Sequence, residues 1–485
     1  MMKNAIQKIM VLAFTAFLLL TLTSITSAQK KFTLADIPEI ENKRALTVAI
    51  EAGGEEDTLL PFVKQFEEKT GIKVNTEVML FAVMYGKENI ELVGGTGAYD
   101  LVIVEASWTN EWAPYLFSLE ELAEKYEPEG VEGVRRDLEY LDKGFRRMAA
   151  TREGVIYGWS YETYTMMMHY REDVFKDPTE KANFLKKYGY ELAPATAWNQ
   201  VIDQAEFFTR KKGQNLKGQP LKNDLYGVGL MAGRFPHVQD EISSILWGMG
   251  GNWAKIVRDE NGKALGFKIT ERNKTLLKAA FETYLELLQF APPGSLNAFW
   301  DFVMAQFAAG NIIIDPAGYD SMFPWMSGWG PDVGPGAKIG GAPTAGTQPY
   351  CGLFHFAVPK ASKNPEGAYW LAKLLGSYDV HKAWIGAGFI PTRRDVVEEP
   401  MYRDPELHAK TGWVPTMLHT WDYQYPFVNN YLHFNSAAFG KIYDFMTELC
   451  HNVARGALTP QQGVDEWVKT FTDLQTKSGK LPVLK

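Results

Sequence analysis

Apolar residues fall along this chain in two rhythms. Short unbroken apolar runs occur at 45–50 (ALTVAI), 99–104 (YDLVIV), 311–314 (NIII) and 351–358 (CGLFHFAV). Such runs read as strands buried on both faces. Ile72 to Met79 and Leu225 to Met231 are further strand candidates. Between them the rhythm becomes helical. Leu59, Leu60, Phe62, Val63 and Phe66 recur on one face, and Thr70-Gly71 supplies a C-terminal cap. Helices are also predicted from Thr196, as the candidate cap, to about Arg210, from near Val238, over Lys274–Gln289, Trp300–Ala309 and Pro365–Leu375, and over Gln461–Leu474. Asp315 to Asp320 and the Gly- and Pro-rich Ser327 to Gln348 read as loops. Strand–helix–strand alternation predicts an α/β fold with a largely parallel sheet. Ligands of such sheets lie beyond the carboxyl ends of the strands. Two loops meet that condition: EAGGEED at 51–57, and Glu105-Ala106-Ser107-Trp108.

The stretch GVIYGWSYETYTMMMHYREDVF, 154–175, breaks the pattern. Tyr161-Glu162-Thr163-Tyr164 places a carboxylate among tyrosines just before an apolar run, Met166 to Tyr170. This is where the chain is expected to leave one domain and enter a second, with Tyr161, Glu162 and Tyr164 at the seam, a usual place for a ligand.

Length supports more than one domain, since 485 residues exceed what a single core serves. The first 28 residues pair Lys3 and Lys8 with an apolar run, Met10–Leu22, and small residues before Gln29. They are read as a signal peptide cleaved near Ala28, too short for a membrane span. A soluble periplasmic or secreted product is expected. Removing the two lysines takes the net charge from −8 to −10. That balance, without a basic patch, argues against nucleic acid or anionic membrane as partner. Cys351 and Cys450 are the only cysteines; they could pair in an oxidising compartment or remain buried thiols. The sequence lacks H-E-x-x-H, C-x-x-C, G-x-S-x-G and a Walker A motif, which weighs against metal enzymes, serine hydrolases and an ATPase. No metal and no cofactor is expected. With 14 Trp and 22 Tyr, the chain is well supplied with flat apolar faces that carry a hydrogen-bonding edge.

The order of these features resembles the maltose-binding-protein-like extracellular solute-binding proteins of ABC importers. The matching stretches are FEEKTGIKV at 66–74, YDLVIV, the crossover stretch 154–175, PATAWNQVIDQA at 194–205, FAAGNIIID at 307–315, VPKASKNPEGAYWLAKLL at 358–375 and LTPQQGVDEW at 458–467. PPG at 292–294 is similar to members that bind sugars and polyols. The resemblance implies a two-lobed periplasmic-binding-protein fold with three hinge crossovers and a central ligand cleft. One lobe would be 42–160 with 357–400, the other 165–350 with 402–485. Crossovers would lie near Tyr161–Tyr164, Cys351–Phe356 and Glu398–Asp404. It implies a monomer that delivers a carbohydrate or polyol to a membrane permease.

The candidate ligand residues follow from motif and position. Glu55, opening a helix, is either a ligand acceptor or a residue favoured by the helix dipole. Glu105, Ser107 and Trp108 follow a strand end, and Trp108 is equally readable as a packing anchor. Tyr161, Glu162 and Tyr164 lie at the seam. Gln239 and Asp240 occupy a helix's first turn, where solvent-facing capping explains Asp240 equally well. Gly318 and Tyr319 follow a strand, and Gly318 is readable as a turn residue. Gly352 and Phe354 lie on the second crossover. Arg393 is either an anion or hydroxyl donor or an ordinary surface arginine. The chain departs from maltodextrin binders at Gly53-Gly54-Glu55 and at Gly318-Tyr319, so the resemblance leaves the ligand open. A secreted hydrolase using a carboxylate pair is the alternative.

Overall fold

The computed structural model describes residues 31–53, 55–328, 338–404, 412–428 and 431–484. The expected signal peptide, 1–28, lies outside the described residues. Strands β1 (Leu46–Glu51) and β2 (Val74–Met79) pair in parallel around the helix Glu55–Thr70. Leu59, Val63 and Phe66 of that helix are buried, while Leu60 is turned out. Gly71, at φ +70°, ends it. Val48 bridges in parallel to Leu101, which leads into β3 (Val102–Glu105).

The centre of the molecule is β4 (Gly158–Arg171). Its first half, Gly158 to Thr165, pairs antiparallel with β8 (Cys351–Ala357), and β8 pairs in turn with β3. Its second half changes partners. Met166 to Tyr170 pairs with β6 (Ile312–Tyr319), and Met168 to Arg171 with β7 (Ile339–Ala342). Strand β5 (Tyr226–Val228) completes the edge beside β6 in parallel. The sheet is therefore mixed, and the expectation of a largely parallel sheet is corrected. Strands β4 and β8 pass between the lobes antiparallel to each other, without the crossover helices that parallel neighbours need.

Two hydrophobic cores follow this exchange of partners. The smaller holds Val48, Ile50, Phe66, Val104, Trp108, Trp112, Trp159, Tyr161, Phe354 and Phe356. The larger holds Met166, Met167, Met168, Val228, Trp247, Ile314, Cys351 and Leu353. The chain passes from one to the other within Tyr161–Met166, returns at Leu353–Phe354, and passes again near Phe389–Ile390. Val396 and Val397 pack in the larger core, as do Phe145 and Met148. The architecture is a two-lobed mixed α/β fold.

Several local readings are corrected. Residues 315–319 are not loop: β6 runs through to Tyr319 with a register shift between Asp315 and Gly318. A bulge lets the ladder tolerate Pro316, which has no amide hydrogen to donate. Gly318 is needed for space, since a Cβ there would come 1.8 Å from an Asp315 carboxylate oxygen. Thr196 is not a cap; the helix Trp198–Phe208 starts after Ala197, and Thr196 is bonded to Gln200 instead. Within the Ser327–Gln348 stretch the structure forms β7, and residues 329–337 lie outside the described residues. The helices that went unpredicted include α1 (Phe81–Gly94), α2 (Pro178–Tyr188) and Tyr378–Ala387. Cys351 and Cys450 are buried thiols that are not joined in a disulfide.

Gly352 faces Tyr164 across the β8–β4 pair, and a Cβ on Gly352 would lie 2.1 Å from the Tyr164 ring. Gly352→Ala should therefore cost about 1–3 kcal/mol of stability through overpacking. Urea denaturation measures this; an unchanged midpoint would mean that the Tyr164 ring is free to move aside.

Candidate functional site

Glu105 closes β3 and caps the short turn Ala106–Trp108. One carboxylate oxygen accepts the Ser107 amide at 2.8 Å and the Ser107 hydroxyl; the other accepts the Tyr164 hydroxyl at 3.2 Å. Only 2% of Glu105 is exposed. Burial raises its pKa to about 7, against the pull of the Ser107 and Tyr164 donors.

Tyr164 sits where β4 changes partners. Its ring meets Tyr319 edge-to-face at 5.4 Å and lies roughly parallel to Tyr350 at 6.0 Å. Tyr350 continues into a run of near-parallel rings, Trp247 at 6.2 Å and then Tyr431 at 4.0 Å from Trp247. The Tyr319 hydroxyl donates to Asp240 Oδ2 at 2.5 Å, and the Tyr443 hydroxyl to Oδ1 at 3.5 Å. The Gln239 amide also donates to Asp240 Oδ1. Asp240 lies in the first turn of α3 (His237–Gly248) but is 1% exposed, so it is not a solvent-facing cap. Burial drives its pKa well up, and the charge of Glu105 adds to the rise.

Two buried histidines flank this set. His433 lies 5.0 Å from Tyr350 and 5.3 Å from Trp247, and among the described residues neither ring nitrogen has a hydrogen-bond partner. His237 packs edge-on to Tyr319 at 5.2 Å, and its Nδ1 has no partner among the described residues. Burial lowers both pKa values to about 3, so both rings are neutral. The lobes touch beside this cluster. Asn110 donates to the Phe434 carbonyl at 3.2 Å, and a Cβ on Gly440 of α4 (Phe439–Ala454) would lie 2.5 Å from the Tyr85 hydroxyl.

The structure thus gathers Glu105, Ser107, Tyr164, Gln239, Asp240 and Tyr319 into one seam. Trp108 backs it as a core residue, 3% exposed, stacked on Phe81 and edge-on to Tyr85. Phe354 packs between Phe81 and Tyr164, and Gly352 makes room for the Tyr164 ring. Tyr161 lies deeper in the smaller core, with its ring 4.4 Å from Phe356 and 6.3 Å from Phe354. Glu162 is buried on β4 opposite Phe354. Gly318 packs on Asp315 and His169 instead of facing the seam. Arg393 is held by a bidentate pair with Asp395 at 3.0 Å and lies over Tyr140. The side chain of Glu55 lies outside the described residues. Sequence reasoning missed Phe81, Tyr85, Trp247, Tyr350, His433 and Tyr443. Only Phe81 and Tyr85 left a signal, the helical spacing of Phe81, Met84, Tyr85 and Leu92.

Among the described residues no set of three or more His, Cys, Asp or Glu side chains is arranged for a metal ion, and no helix is long and apolar enough to cross a membrane.

A two-lobed α/β fold whose lobes meet over buried acceptors and rings defines a solute-binding class. The chain belongs to the bacterial extracellular solute-binding proteins, whose family profile matches residues 52–382, more than half of the chain. No curated protein sequence is significantly similar to it. Solved structures share the fold. A solute-binding protein of an ABC transporter from Agrobacterium radiobacter, in complex with ribitol, is 20% identical, with 90% of this chain and 100% of that one covered and a TM-score of 0.67. Maltose-bound MalE3 of T. maritima is 19% identical over 89% and 100% of the two chains, with a TM-score of 0.65. An Agrobacterium vitis solute-binding protein with D-mannitol is 18% identical over 90% and 100%, with a TM-score of 0.64. Nothing in these comparisons supports the hydrolase alternative.

Glu105 also sets a pH dependence. Its folded pKa of about 7 lies above the ordinary 4.5, so the folded protein binds its proton more tightly than the unfolded chain does. The stability this gives is complete below about 4.5 and is lost as pH rises through about 7, a loss on the order of 3 kcal/mol for this group. Glu105→Gln should remove that part of the fall in melting temperature. A pH profile with the same slope as the parent protein would show that Glu105 is solvated in the ligand-free form.

Proposed function

We propose that this chain captures a sugar, oligosaccharide or polyol between its lobes and delivers it, unaltered, to an ABC import permease. The single observation that carries this reading is the convergence, from both lobes, of buried acceptors among aromatic rings: Glu105 from one side, Asp240 and His433 from the other. Carboxylates and the unprotonated nitrogen of a neutral imidazole accept from hydroxyls, its N–H donates to them, and ring faces pack on the C–H faces of a carbohydrate. The ligands named for the similar structures, ribitol, maltose and D-mannitol, belong to the same chemical class.

The lobes in this reading are 42–160 with 357–389, and 165–350 with 390–485. They close by bending at Tyr161–Tyr164 and Cys351–Phe356, with the third hinge drawn back from Glu398–Asp404 toward Phe389–Ile390, where the packing changes core. The mature protein acts outside the cytoplasm as a monomer after cleavage near Ala28. It takes no cofactor and no nucleic acid.

The test is a melting-temperature and Trp-fluorescence titration of the mature protein with ribitol, mannitol, maltose and longer maltodextrins. A true ligand at about a hundred times its Kd should stabilise by about 2.7 kcal/mol with no product released. Tyr164→Phe should weaken binding about tenfold, or about 1.4 kcal/mol, while costing the ligand-free protein less. Trp108→Ala, by contrast, should cost about 3–5 kcal/mol of stability as a core truncation. Product release at a catalytic rate would replace capture with hydrolysis.

A further inference from the structure

The segment that carries Glu105 does not end at the seam. It runs through the turn Ala106–Trp108 into the short helix Thr109–Trp112, and there its side chains reach the opposite lobe. The buried Asn110 accepts the Arg152 amide of its own lobe at 3.0 Å and donates to the Phe434 carbonyl of the other at 3.2 Å. Glu111 Oε2 is buried and completes no hydrogen bond among the described residues. It lies beside Gly440, in the first turn of α4, where a Cβ would come 2.9 Å from it. That Cβ would also come 2.5 Å from the Tyr85 hydroxyl, so its nearest neighbours would all belong to the smaller lobe. Helix α4 needs an acceptor at this end. The first amides of a helix find no partner within it, Ala438 at the N-cap has no side chain to offer them, and the first turn holds no acidic residue. Burial raises the Glu111 pKa; the Tyr85 hydroxyl, the charge of Lys441 and the Gly440 amide hold the rise back, and Asp444 adds to it.

Resting on the reading of this seam as the solute site, we infer that Glu111 and Tyr85 are positioning residues: from the smaller lobe they seat on the uncapped start of α4 in the larger lobe and hold the two lobes together over the solute. The carboxylate serves the first-turn amides as the cap that Ala438 does not provide, in the place where the helix dipole favours a negative charge. Gly440 admits the pair, because any Cβ would fill the space they occupy. The same two elements carry the solute groups. Glu105 and Glu111 belong to one short segment, and Tyr443, whose hydroxyl reaches Asp240, stands one turn after Gly440 on α4. A solute that engages Glu105 and Asp240 therefore draws this latch shut, and the seated latch slows the solute's escape. With the lobes apart these contacts do not exist, so they favour only the form in which the lobes meet.

Pulsed electron paramagnetic resonance on the full mature chain reads the distance between the lobes. Spin labels go on Glu124→Cys in the smaller lobe and Glu282→Cys in the larger, both exposed positions, while the native Cys351 and Cys450 are buried. Four samples are compared: no addition, ribitol, D-mannitol and maltose. The parent should show the short distance of lobes in contact in at least one of them. Gly440→Ala should cut that population at least about fivefold, and weaken any of the three additives that binds the parent by a similar factor. Its ligand-free melting temperature should hold or rise, because Ala favours a helix over Gly. Glu111→Ala should act in the same direction, whereas Glu111→Gln, whose side-chain oxygen accepts the same bond, should stay within about twofold of the parent. A Gly440→Ala protein with the parent's distances and affinities would overturn the latch, as would loosened lobes accompanied by a fall in the ligand-free melting temperature. In either case the capture reading stands if an additive shortens the distance or raises the melting temperature. If none of the three does either, the capture reading falls, and the latch is judged on the sample without addition, where the absence of any short distance overturns it as well.

Discussion

Fourteen consecutive residues, Gly158–Arg171, hydrogen-bond to two different sets of strands, and both cores are built out from that one backbone. At about 3.3 Å per residue such a strand reaches roughly 46 Å, enough to run through both lobes. The change of partner between Thr165 and Met166 makes β4 the strand that both cores share. Tyr164 therefore stands where neither lobe's packing fully encloses it, with one neighbour from each side, Phe354 and Tyr319. The requirement for glycine at position 352 follows from the same geometry, because two chain crossings must lie side by side with a ring between them.

The meeting of the lobes has an electrostatic consequence. Glu105 and Asp240 are withdrawn from water and lie in each other's field. Burying a carboxylate without a cation costs several kcal/mol, and the group responds by holding its proton. Phenolic hydroxyls soften that cost but supply no charge. A solute that satisfies these acceptors favours closure through its differential interaction with the closed state, which is what a capture protein needs from its ligand.

Much of this was legible from residue order. The apolar runs located β1, β3, β6 and β8, and the strand-end rule pointed to Glu105, Ser107 and Trp108. The helix predicted from near Val238 placed Gln239 and Asp240 together in its first turn. Their role was less legible, because a carboxylate in a first turn reads as a cap unless something covers it, and what covers Asp240 comes from Tyr319 and Tyr443, 79 and 203 residues away. Arg393 misled for the opposite reason. Asp395, two residues on, takes up its guanidinium, and the family position alone carried no sign of that local pairing.

The sequence by itself determined the elements, their buried faces, the α/β class and the place where one core gives way to the other. These are properties of periodicity, written within ten or fifteen residues. The tertiary structure decided which polar groups share a space. Tyr161 and Tyr164 differ by three positions on one strand, yet one ring enters a core and the other the seam. The register shift at Tyr161, opposite Phe354–His355, and the exchange of partners at Thr165–Met166 set that difference. Both depend on pairings with residues 312–319 and 351–357, whose register no local pattern encodes.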